Sequence, residues 1–133
     1  MYEELKNLYK EIDGVLVSLD NRCGIDCMGY CCKMAESGLE ANVSVGEEYL
    51  IKKYLRDHNI TLPKWRSDVC RFLNETDMCM IYEVRPLSCR KYLCDCQHNA
   101  IVDENIERLV MQYFSKYPRE LAGSKLIRYV SFE

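Results

Sequence analysis

Nine cysteines in 133 residues fall into two groups, and that grouping limits the fold more than any other property of the chain. Four lie in the ten-residue stretch CGIDCMGYCC, at Cys23, Cys27, Cys31 and Cys32. Five follow after a long gap, at Cys70, Cys79, Cys89, Cys94 and Cys96. An odd number of thiols cannot all pair internally as disulfides. The N-terminus, MYEELKNLYKEIDG, carries glutamates where a secretory signal needs a basic start and an apolar run. The expected setting is therefore cytosolic, and thiols in a reducing compartment point to metal or redox chemistry rather than to disulfides.

The remaining composition excludes some functions. A net charge of −3 argues against a general nucleic-acid binder, which needs a basic surface. No apolar run is long enough to span a membrane. The length suits one domain with one modest core, so residues 1–133 are read as a single cysteine-cluster metal-binding domain.

The hydrophobic spacing predicts a mostly α fold with a short β-hairpin, stapled by a metal or cluster. Leu5, Leu8, Tyr9, Ile12, Val15 and Leu16 recur at helical spacing over Tyr2 to Leu19. Asp20-Asn21 should end that helix, and Gly24 and Gly29 should keep residues 23–33 as a loop or broken turn. Ser44-Val45-Gly46-Glu47 has the form of a capping box, which predicts a helix from Val45 to about His58. Pro63 marks a break. Val69 to Leu73 and Met78 to Tyr82 flank a turn at residues 74–77 and read as a hairpin. With Leu73 opposite Met78, Phe72 lies opposite Cys79, and Cys70 shares its face. Pro86 opens a short helix over Leu87 to Leu93, and Cys89 falls in its first turn, where free N–H groups favour a thiolate. A strong helix is predicted from Ile101 to Tyr117, with Ile106, Leu109, Val110 and Tyr113 on one face and Pro118 closing it, and Lys125 to Phe132 reads as a strand or docked extension.

Thiolates are soft ligands that suit zinc and iron–sulfur clusters, each normally taking four protein ligands. Nine cysteines suffice for one site with several spare, or for two. Zinc fingers and ribbons use Cys-x-x-Cys knuckles, and this chain has none; ferredoxin spacings are absent as well. The spacing leans toward an iron–sulfur cluster over zinc. His58 and His98 have no ligand-like spacing to a cysteine, and Cys96 has the weakest case among the thiols. Arg85, Arg90 and Lys91 stand near enough in sequence to offset a thiolate-rich charge, although ion pairing or solvation is the commoner fate of such residues.

The combined pattern resembles the YkgJ-type cysteine-cluster family, described as a zinc- or iron-chelating domain. The residues that carry the resemblance are the early cluster ending in the adjacent pair Cys31-Cys32, then Cys70-Arg71-Phe72-Leu73, Cys79-Met80-Ile81-Tyr82, Arg85-Pro86-Leu87-Ser88-Cys89-Arg90 and the trailing Cys94. The early gaps are wider than is usual in that family. The resemblance implies a metal or iron–sulfur site with Cys27, Cys31, Cys32, Cys70, Cys79, Cys89 and Cys94 as ligand pool, and Cys23 beside them. The partner it implies is the metal ion or cluster itself. Flagellin lysine N-methylases contain a similar cluster, which implies a second reading: a cluster-dependent protein-modifying enzyme with a protein substrate. A thiol redox or metal-handling protein with a redox partner is the third.

Overall fold

The computed structural model describes residues 2–18, 41–62, 70–74, 79–90, 92–94 and 100–132. The expected loop at residues 23–33, the break at Pro63, and Cys23, Cys27, Cys31, Cys32, Cys96 and His98 lie outside them. The described chain is mostly helical, with two short antiparallel strand pairs.

Helix α1 (Glu3–Ser18) buries the predicted stripe: Leu5, Leu8, Tyr9, Ile12 and Leu16 are all in the core. Strand β1 (Asn42–Val43) leads directly into α2 (Val45–Asp57), which starts at the predicted capping box of Ser44 and Glu47. Helix α2 faces two ways. Leu50 turns toward α1, whereas Ile51 and Leu55 turn toward the thiol-bearing segments. Gly46 sits where α2 begins, close under α1: a Cβ there would approach the Tyr2 ring to 2.7 Å, so only glycine fits without displacing that ring.

The predicted hairpin is a single bridge, and its register is one residue off. Leu73 pairs with Cys79, not Met78, and Met80 N–H donates to the Phe72 carbonyl at 2.7 Å. The cause is local: Leu73 N–H bonds back to the Cys70 carbonyl at 3.0 Å, so residues 70–73 form a turn. The two-residue alternation of an extended strand therefore does not apply there. A 3₁₀ turn at Tyr82–Val84 follows, then the one-turn helix α3 (Leu87–Arg90).

Helix α3 stops three residues short of the predicted Leu93. Residues Tyr92–Cys94 instead form strand β2, paired antiparallel with β3 (Ala100–Val102). A short apolar run satisfies helix and strand alike until a partner strand decides. For the same reason the next helix, α4 (Glu104–Lys116), starts after Ile101. Its N-cap is Asp103, whose carboxylate accepts from the N–H groups of Asn105 and Ile106. Of the predicted face, Ile106, Val110 and Tyr113 are buried in the cluster with α1, and Leu109 is half-buried against it.

Pro118 closes α4 and opens a short helix α5 (Pro118–Ala122), the position where proline costs no hydrogen bond. The tail then does both things expected of it. Strand β4 (Lys125–Leu126) pairs with β1, and Ile127, Val130 and Phe132 dock on the thiol-bearing cluster. Among the described residues, no helix is long and apolar enough to cross a membrane.

Candidate metal centre

Three of the predicted ligands have described side chains, and they fall at two places. Cys70 is buried and Cys79 half-buried, and both pack into the cluster built from Val43, Ile51, Leu55, Phe72, Ile81, Ile127 and Val130. Cys79 also lies close enough to Tyr54 to contribute to raising its hydroxyl, after burial and the Glu83 charge. Cys89 is half-buried on α3, beside the other cluster. Its charge adds to the burial and to the Glu47 charge that push the Tyr9 hydroxyl well up. The backbone of Cys94 is in β2, opposite Ala100. Among the described residues, no three His, Cys, Asp or Glu side chains converge to hold a metal ion. Cys70 and Cys79 belong to one cluster, but the expected shared strand face does not exist, because the chain turns at Cys70.

Helix α3 has only four residues, too few to be stable alone. Its neighbours hold it at every side. At its start, Leu87 N–H donates to Glu47 Oε2 at 2.5 Å. At its middle, the Ser88 hydroxyl donates to the Asn42 carbonyl and accepts from the Asn42 N–H, both at 3.0 Å. At its end, the fully buried Arg90 side chain donates from Nη1 to both carboxylate oxygens of Asp13 at 2.6 Å. Arg90 also donates to the carbonyls of Glu83 at 2.7 Å and Arg85 at 3.2 Å, and its guanidinium stacks 4.0 Å over the Tyr9 ring. Cys89 sits between these anchors.

The dipole argument for a Cys89 thiolate needs correction. The N-terminal end of α3 is already engaged by the Glu47 carboxyl, and the N–H groups of Cys89 and Arg90 both bond to the Pro86 carbonyl. Arg90, the residue after Cys89, and Arg85 carry positive charge at this helix. Arg85 and Arg90 are both buried, and Asp13 is the carboxylate they share, at 3.7 Å and 2.6 Å. Burial, and after it the neighbouring Arg85 charge, holds the Arg90 guanidinium below its ordinary value, with Asp13 opposing. The two guanidinium groups share Asp13, and the Glu47 carboxyl also lies against this helix.

Arg85 Nη1 donates to the Tyr82 carbonyl at 2.8 Å, and its guanidinium lies 3.9 Å over the Tyr82 ring. Its Nε is buried without a hydrogen-bond partner among the described residues. A buried donor of that kind costs roughly 1–3 kcal/mol if nothing accepts from it. Thiolate or sulfide sulfur is an acceptor, so this donor, together with the soft thiols, fits a thiolate-bound metal or cluster. The other predicted candidates go elsewhere. His58 stacks on Tyr54 with ring centroids 4.0 Å apart at the C-terminal end of α2, and its Nδ1 lies 3.0 Å from the Tyr54 carbonyl. Lys91 lies outside the described residues.

Sequence reasoning missed Asp13 and Tyr9 as parts of this region and read Glu47 only as a cap. Asp13 and Arg90 are 77 positions apart, so no local pattern pairs them. A buried glutamate in a capping box carries one weak signal, since a box needs no burial.

No curated protein and no solved structure matches the chain. A match to the CxxCxxCC family, described as "Putative zinc- or iron-chelating domain", spans residues 22–116, which takes in both cysteine groups, the bridge at Leu73 and Cys79, and the α3 anchor. Both gaps in Cys23-x-x-x-Cys27-x-x-x-Cys31-Cys32 are one residue wider than that family's name. With more than half of its length matched, the chain belongs to the CxxCxxCC family.

Proposed function

We propose that residues 1–133 form one cysteine-cluster domain that binds a metal through thiolates in the cytosol, with an iron–sulfur cluster preferred over zinc. The ligand pool is Cys23, Cys27, Cys31, Cys32, Cys70, Cys79, Cys89 and Cys94. The observation that carries this reading is the family match over residues 22–116, which contains all nine cysteines. The lack of any Cys-x-x-Cys knuckle favours the cluster over finger-type zinc. When bound, such a group cross-links the segments that hold it, and an iron–sulfur cluster adds one-electron chemistry. The chain's own residues shape its surroundings: Arg85 and Arg90 offset thiolate charge, and α3 presents Cys89 from a fixed backbone.

Anaerobic purification followed by metal analysis and an absorption spectrum tests the proposal. Brown protein with bound iron and sulfide supports the preferred form, and colourless protein with stoichiometric zinc supports the other. Protein that carries neither, and whose fold does not change in chelator, overturns both.

A further inference from the structure

We propose that Glu47 is a positioning residue for the Cys89 sulfur, which rests on the reading of Cys89 as a metal ligand. Glu47 is 1 % exposed and lies in the first turn of α2, yet its two carboxyl oxygens serve different elements. Oε1 accepts from the Ser44 N–H at 3.3 Å and from the Ser44 hydroxyl at 3.0 Å, which is the local capping role. Oε2 accepts from the Tyr9 hydroxyl of α1 at 2.7 Å and from Leu87 N–H, 40 positions away, at 2.5 Å. One carboxyl group therefore joins α1, the start of α2 and the start of α3.

A cap alone does not need that arrangement. Exposed side chains cap helices well, and water satisfies their remaining lone pairs. Burying this carboxyl is costly, and burial pushes its pKa up despite the four donors. The far oxygen is placed on the residue two before Cys89. Leu87, Ser88 and Arg90 are each tied to another element, so within α3 the backbone of Cys89 has no freedom that its neighbours retain. A ligand held in place before binding loses little entropy on binding, and groups that orient a ligand alter metal affinity without touching the metal.

The test uses full-length protein purified anaerobically with its metal. The readout is the rate at which that metal passes to an excess of chromophoric chelator, with urea stability of the apo form measured in parallel. Glu47→Gln keeps the volume but places an amide donor in the cage, opposing one of its donors. Glu47→Asp keeps the carboxyl and the helix start while withdrawing it from Leu87, and serves if the glutamine variant does not fold. Either variant is expected to speed release roughly 10–100-fold, the usual effect of losing an orienting partner. In a Cys89→Ser background the same change should have almost no further effect. An equal acceleration in both backgrounds, or none in the wild type, overturns the positioning role, because the effect would then pass through general stability or be absent. If Cys89→Ser alone holds its metal as tightly as the wild type, the ligand reading of Cys89 fails first and takes this inference with it.

Discussion

Among the described residues the core has two parts that bury similar numbers of side chains by different means. The cluster on α1 and α4 contains ten buried residues, and eight of them come from those two long helices. The cluster that carries Cys70 contains eight, and only Ile51 and Leu55 come from a helix longer than one turn. The rest stand on β1, on the Cys70–Leu73 turn, at Ile81 and on the C-terminal tail. In the first cluster, backbone hydrogen bonds within each helix fix the side chains before they meet. In the second, irregular segments separated by up to tens of residues must be ordered by what they enclose, and ordering each residue costs about 1–2 kcal/mol of backbone entropy. Among the described thiols, Cys70 and Cys79 lie in this less regular part, whereas Cys89 stands on α3 beside the helical cluster.

Metal removal should break this symmetry most. Chelation is expected to expose the amides of Leu73 and Met80 to hydrogen exchange by several orders of magnitude, because structural thiolate sites contribute up to about 10 kcal/mol of folding free energy. The amides of α1 and α4 should keep most of their protection. Equal loss in both places would show that the two clusters unfold as one unit.

Core truncations come next. Ile12 and Phe72 are both fully buried, one in each cluster. Ile12→Ala should cost roughly 2–5 kcal/mol and Phe72→Ala roughly 3–5 kcal/mol in urea unfolding of the metal-loaded protein. The comparison sharpens if Ile12→Ala destabilises the apo and loaded forms alike while Phe72→Ala destabilises mainly the loaded form.

A smaller effect concerns pH. Burial holds the Glu47 carboxyl above its ordinary value of 4.5. A folded-state value above the unfolded one gives stability that is fully present below about pH 4.5 and is lost as the pH rises through the folded value. Exposed Glu4 and Asp57 are shifted down by Lys116 and Lys53 and act in the opposite sense, losing their contribution on acidification. Melting temperature against pH should therefore fall less steeply above pH 4.5 in Glu47→Gln than in the wild type, and identical slopes would contradict the burial of this group.

The smallest expected change is a gain. Gly14 lies inside α1 with open space around its Cα, so Gly14→Ala should stabilise the helical cluster by about 0.5–1 kcal/mol. Calorimetry that finds a loss instead would show that α1 needs flexibility at that point.

The long helical stripes and the capping box were read correctly. The stripe from Leu5 to Leu16, the box at Ser44 and Glu47, and the face of Ile106, Val110 and Tyr113 each lie within a few turns of one helix, where spacing alone selects the buried side. One error fell where a partner strand decides, the other at a tight local turn. Tyr92–Cys94 became a strand because Ala100–Val102 lies beside it, and the Leu73 bridge shifted because the chain turns at Cys70. The sequence by itself determined the helical core, the grouping of thiols and the family. Only the tertiary structure decided that Asp13, 77 positions away, meets Arg90, and that Glu47 reaches past its own helix to Leu87. The physical reason is range: helical periodicity repeats every few residues, whereas a buried carboxyl or guanidinium takes whichever donors and acceptors the packed chain brings within 3 Å.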